Sequence, residues 1–199
     1  MPVQVVDCRC SGCGSGISPS MSVCEYCGRP IVLASFGPIA DRATPEVGVL
    51  LRALEKDPAP ENLSALADFT KASCFLRLGI HDRAFSFFKS AIDRDPGNPE
   101  AYFYAAVCLL RGRKACLTPL AVLEKALRYI DAAKAIEPRG LFFYFAAYIK
   151  NDYFEKKCLR IEPDWRREMM TALENGLSRT DAERLFRTLG VPQPPALAF

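Results

Sequence analysis

From Thr44 onward, apolar residues recur three and four positions apart, the period of one face of a helix. Thr44-Pro45-Glu46 reads as a helix start, with Thr44 as N-cap, proline at the first helical position and an acid in the first turn. The helix it opens runs through Leu50, Leu51 and Leu54 and stops near Asp57-Pro58, and Ala59-Pro60 is a second break. The segments that follow repeat. Ala84, Phe88, Ala91 and Pro96 are spaced four, three and five, and Ala126, Ile130, Ala133 and Pro138 reproduce that spacing 42 residues later. At the same offset Tyr102 and Ala105 match Tyr144 and Ala147. Self-similarity on this scale predicts supersecondary units that bury their apolar faces on one another. Two terminal helices complete the pattern. One spans Asp164 to Asn175 before Gly176, and the other starts at a Thr180-x-x-Glu183 capping box and ends at Leu189-Gly190. Ahead of Thr44 the pattern is turn-rich, and residues 34–43 read as a linker.

Composition narrows the class. The chain has 199 residues, half of them hydrophobic, which excludes wholesale disorder and fits one compact domain, or one domain with a small appendage. The longest apolar run, Ala101 to Leu110, is ten residues, against about twenty for a bilayer span, so no membrane partner is expected. Met1 to Asp7 carry no basic region and no long apolar core, which points away from a secretory signal and toward the cytoplasm. A net charge of +3 gives no bulk attraction for a polyanion. The single histidine, His81, limits histidine-based chemistry and falls in a turn between paired helices, as a surface residue.

Cysteine placement supplies the candidate chemistry. Five of the nine cysteines lie within the first 27 residues, whereas Cys74, Cys108, Cys116 and Cys158 are scattered without ligand spacing. Cys10-Ser-Gly-Cys13-Gly14 and Cys24-Glu-Tyr-Cys27-Gly28 are two copies of Cys-x-x-Cys-Gly. Two thiolates on such a turn reach one ion at about 2.3 Å, and two turns supply a soft tetrahedron. The glycine permits a positive φ and frees backbone N–H groups to face sulfur. Cys8 is either a substitute for Cys10 or a spare thiol; the two-residue gap selects Cys10, Cys13, Cys24 and Cys27 as ligands. Over residues 7–33 the segment resembles a zinc ribbon, with Val5-Val6 and Ile31-Val32-Leu33 as flanking strand residues. That resemblance implies a small β ribbon at 1–33 built on structural Zn2+. So short a segment needs a metal to fold, and four thiolates leave no open coordination position for water activation. Arg9 and Arg29 against Asp7 and Glu25 are too few cations to favour nucleic acid.

The helical part resembles the tetratricopeptide repeat, with the best copy at about Ala65 to Asn98, where Phe75, Gly79, Ala84, Phe88, Ala91 and Pro96 occupy pattern positions. Asp68 and Lys71 depart from it, the second copy is expanded around Gly112 to Thr118, and the third loses the pattern after Asn151. The fold expected is therefore mainly α: a β zinc ribbon (1–33), a linker with a leading helix (34–60), and an α-solenoid with C-terminal capping helices (61–199). The resemblance places Phe69, Leu76, Phe103, Val107, Leu110, Phe142, Phe145 and Ile149 on the concave face. These apolar residues are expected either to hold a helix or extended segment of a partner protein, or to be covered by the chain's own capping helices or its tail, 191–199. The function expected is a non-enzymatic adaptor or scaffold without a small-molecule substrate. The alternative is a nucleic-acid-associated regulatory factor using the ribbon and the basic run Lys156, Lys157, Arg160, Arg166 and Arg167, which is interleaved with Glu155, Glu162 and Asp164.

Overall fold

The computed structural model describes residues 9–10, 12–18, 21–57 and 59–198. Among them run a short α1 (Gly37–Ala40), α2 (Thr44–Lys56), α3 (Ser64–Arg77), α4 (His81–Arg94), α5 (Pro99–Leu110), α6 (Leu120–Ile136), α7 (Gly140–Ile149), α8 (Trp165–Glu174) and α9 (Arg179–Leu189). A π turn, Lys150–Glu155, continues α7. No described helix is long and apolar enough to cross a membrane.

The helices stack in consecutive pairs, α3 with α4, α5 with α6 and α7 with α8. Small residues let the paired backbones approach, since Ala84, Ala91, Ala126 and Ala133 are all buried. Aromatic rings then fill the space between pairs. Phe88 meets Phe69 at 5.6 Å and Tyr104 at 6.1 Å, which ties the first pair to the second. Phe103 meets Phe142 at 4.9 Å and joins the second pair to the third. This is the consistent, α-solenoid part of the expected fold.

The expected β ribbon is not there. No strand or sheet forms among the described residues; the cysteine turns carry only two isolated antiparallel bridges, Arg9 with Gly16 and Val23 with Pro30. The reason is local. The bridge at Pro30 is closed by the Ile31 N–H, which donates to the Ser22 carbonyl at 3.1 Å, and from there Ile31 and Leu33 turn inward onto the helices. There the Leu33 N–H donates to Thr70 Oγ1 at 2.9 Å. Val5 and Val6 lie outside the described residues.

Two helix starts also differ from expectation. Thr44 is the first residue of α2, with Ala43 at its N-cap. At α9 the cap is Ser178, whose Oγ accepts from the Asp181 N–H at 3.1 Å, rather than Thr180.

The third pair explains why the repeat pattern fades after Asn151. The π turn and the segment behind it lengthen the connection, and α8, expected as a cap, pairs with α7 instead. The ends of the pair meet closely, with the Gly140 N–H donating to the Asn175 carbonyl at 3.1 Å. A Cβ on Gly140 would lie 2.4 Å from the Ala172 carbonyl oxygen and 2.5 Å from the Leu177 nitrogen. Both are backbone atoms, so neither can swing aside. Gly140→Ala is therefore expected to cost about 3 kcal/mol, at the upper end of overpacking effects. A thermal melt should show the midpoint fall by roughly 6–12 °C.

Candidate metal centre

The two cysteine turns are built alike. The Gly14 N–H donates to the Cys10 carbonyl at 2.8 Å and the Gly28 N–H to the Cys24 carbonyl at 2.9 Å. Cys10 N–H donates to Ser15 O and Cys24 N–H to Arg29 O, each at 2.8 Å. Gly14 and Gly28 close the turns at φ +74° and +73°, a conformation in which a Cβ is penalised. Each turn thus presents both of its sulfurs on one side, and the two turns face each other. Cys10 Sγ lies 3.5 Å from Cys27 Sγ, and Cys13 Sγ lies 3.7 Å from Cys24 Sγ. All four sulfurs fall within 4.8 Å of one another, close enough to hold one metal ion. Cys10 and Cys24 are buried, and Cys13 and Cys27 face solvent. Cys8 lies outside the described residues.

Polar groups around the sulfurs favour thiolates unequally. Ser15 Oγ sits 3.0 Å from Cys13 Sγ and 3.3 Å from Cys24 Sγ. Its hydroxyl lowers Cys13 and, together with the backbone N–H groups of Cys27 and Tyr26, brings Cys24 down to about 6. At Cys27 the Arg29 backbone acts to lower the thiol, but desolvation and the three neighbouring thiols prevail and push it up to about 12. Gly12 N–H donates to Cys10 Sγ at 3.3 Å. A cation would remove this competition by stabilising all four sulfurs in ionised form. Ser15 was not singled out in the sequence, where a serine two residues after a cysteine carries no signal of its own.

The centre is fastened to the helices by Arg42, a buried side chain. Its guanidinium donates to the Met21 carbonyl at 2.8 Å and to Ser22 Oγ at 3.5 Å. Arg77 of α3 in turn donates to the Ala40 and Arg42 carbonyls, at 3.0 and 3.1 Å. The remaining cysteines behave differently. Burial pushes Cys74 up to about 12 and raises Cys108 further, so both pack as small apolar thiols. Cys116 is raised by desolvation and by hydrogen bonding to Asp152.

The residues expected to line an open groove are covered. Phe69, Leu76, Phe103, Val107, Leu110, Phe142, Phe145 and Ile149 are all at most 3% exposed. This corrects their reading as a free partner-binding surface. The chain's own segments occupy the face shared by α3, α5 and α7. From the N-terminal side, the Phe36 ring lies 4.3 Å from Tyr104, and its N–H donates to Glu100 Oε2 at 3.0 Å. Ile39 is fully buried beside it. From the other side, Phe186 of α9 packs edge-on against Tyr148 at 5.1 Å and Tyr144 at 6.0 Å. Tyr144 Oη donates to the Leu197 carbonyl at 2.9 Å, which seats the tail as well.

The basic run near the C-terminus is largely engaged. Lys156 pairs with Asp152, Arg166 pairs with Glu155 at 3.0 Å, and Lys157 Nζ lies 3.9 Å from the Tyr153 ring centre. Trp165 is half-buried, with the Arg166 guanidinium 4.5 Å from its ring. No family model, curated protein or solved structure matches the chain.

Proposed function

We propose that the chain is a non-enzymatic scaffold whose N-terminal head is folded by one structural zinc ion and whose helical domain is tetratricopeptide-like. The observation that carries this reading is the set of four cysteine sulfurs within 4.8 Å of one another. For Zn–S bonds of about 2.3 Å the edge of a tetrahedron is about 3.8 Å, close to the 3.5 and 3.7 Å of the nearest pairs. Cys10, Cys13, Cys24 and Cys27 would hold the ion. Four soft thiolates favour zinc over oxygen-seeking cations and fill its coordination sphere, which suits a structural role. The metal's contribution is to fix two turns that have no apolar core of their own.

In this reading the partner-facing surface is the head rather than the filled groove. Val23 and Tyr26 stand 43% and 78% exposed on the second turn, and an exposed tyrosine on a rigid loop is a common interface anchor. Two measurements test the proposal. The purified chain should contain one zinc per molecule, and Cys24→Ser should lose at least nine-tenths of it while far-UV circular dichroism stays helical. A photo-crosslinking residue at position 26 should capture a host protein only when zinc is bound, and one at exposed Leu117 should not. Absence of stoichiometric zinc overturns the metal half. Equal capture at both positions overturns the partner half.

A further inference from the structure

Between α1 and the C-terminal end of α9 the helical domain leaves a cleft of about 400 Å³, within the size range of small-molecule sites. Its half-buried lining includes Ala40 and Thr188, laid over Phe36, Leu76 and Leu189, which are at most 3% exposed. Its charged wall is one-sided: Arg77, Arg184 and Arg187 line it together with His81, and no carboxylate does. The arginines are committed to different degrees. Arg77 uses Nε and Nη2 on the Ala40 and Arg42 carbonyls, and its Nη1 has no hydrogen-bond partner among the described residues. Arg184 reaches Asp41 at 3.5 Å and Asp181 at 3.9 Å. Arg187 is exposed and has no ion-pair partner among the described residues. Deeper in, His81 Nδ1 is shielded from water without a hydrogen-bond partner, a desolvation that folding leaves uncompensated. Burial holds His81 below its usual range, so the positive charge of the cleft comes from the arginines.

We propose that this cleft binds a small amphiphilic anion, with its apolar body against Ala40 and Thr188 and its oxyanion head held by Arg187 and the free edge of Arg77. A guanidinium in a partly desolvated cleft binds an oxyanion through charge-assisted hydrogen bonds, and no carboxylate in the wall competes for it. Carboxylate and phosphate-ester heads share this chemistry. The site belongs to the helical domain and does not depend on the metal reading.

The test uses the full chain and 8-anilinonaphthalene-1-sulfonate, a fluorescent probe with an apolar body and an anionic head. It should bind at one saturable site, and added salt should weaken it. Octanoate or phenyl phosphate should displace it, and whichever acts at lower concentration identifies the head, whereas octanol should not. Arg187→Gln should weaken probe binding about tenfold, while Arg128→Gln on α6, which removes the same charge elsewhere, should leave it within twofold. Arg187 is exposed, so this variant keeps the fold, and an unchanged melting temperature would verify that. Probe affinity within twofold of the parent in Arg187→Gln, or displacement by octanol as effective as by octanoate, would overturn the proposal.

Discussion

Phe103→Asp is expected to unfold the helical domain. The ring is 1% exposed and meets Tyr104, Phe142 and Phe145 at 5.0, 4.9 and 5.5 Å. Truncating a buried phenylalanine costs about 3–5 kcal/mol. A carboxylate left in the resulting space adds several more, because the guanidinium beside Phe142, that of Arg139, is already paired with Glu100 and Glu137. The sum is comparable to the roughly 5–15 kcal/mol that holds an ordinary domain folded. Far-UV circular dichroism at 25 °C should therefore lose most of its helical signal. Phe103→Leu, which keeps the site apolar, should retain the signal and lower the melting temperature by only about 5 °C. An open groove would give the opposite result, since an aspartate there would be solvated and the helices would persist. The experiment thus decides between a filled and a vacant face.

That difference shows which parts of the molecule were legible in the sequence. The metal-centre cysteines were, because Cys-x-x-Cys-Gly encodes a complete local turn: both backbone hydrogen bonds and the positive-φ glycine fall within six residues. The helical pairs were too, since Ala84, Phe88 and Ala91 recur as Ala126, Ile130 and Ala133 and all six are buried. What covers the shared face of α3, α5 and α7 was legible only in part: the capping helix and the tail stood as one alternative, and the segment ahead of α2 did not. An apolar residue on a helix has the same spacing whether it meets a partner, a solvent groove or its own chain. The covering segment, Ser35-Phe36-Gly37-Pro38-Ile39, is too short to show a period, and its composition is that of a linker. Strand content failed for a related reason. Strand pairing is non-local, and the inward turn of Ile31 and Leu33 ends it after one bridge. At α9 two overlapping patterns competed, Ser178-x-x-Asp181 and Thr180-x-x-Glu183. The first prevails because the Asp181 N–H donates to Ser178 Oγ at 3.1 Å while the Ser178 hydroxyl donates in turn to Asp181 Oδ2 at 2.6 Å.

The pairing of α8 with α7 rests on a buried charge cluster that spacing does not reveal, and Glu168→Ala should expose its importance. Glu168 lies between two lysines, with Lys150 Nζ 2.6 Å from Oε1 and Lys134 Nζ 2.9 Å from Oε2. Side-chain exposures are 4% for Glu168, 6% for Lys150 and 12% for Lys134. Lys150 also donates to the Pro163 carbonyl at 2.8 Å, so one ammonium joins the end of α7, the connection and α8. Removing the carboxylate leaves Lys150 buried without a counter-charge, whereas Lys134 keeps Asp131 at 3.4 Å. Breaking a buried pair in this way costs about 3–5 kcal/mol, much more than the pair contributes relative to an apolar replacement. Urea unfolding should accordingly place Glu168→Ala about 3–5 kcal/mol below the parent, with Glu168→Gln between them because its amide oxygen still accepts from lysine. The double variant Lys150→Met with Glu168→Met removes both charges and fills the same space, and it should recover most of the loss. If Glu168→Ala instead costs less than about 1 kcal/mol, the value expected of a solvated pair, then water reaches these side chains and the third helical pair is held by its apolar contacts alone.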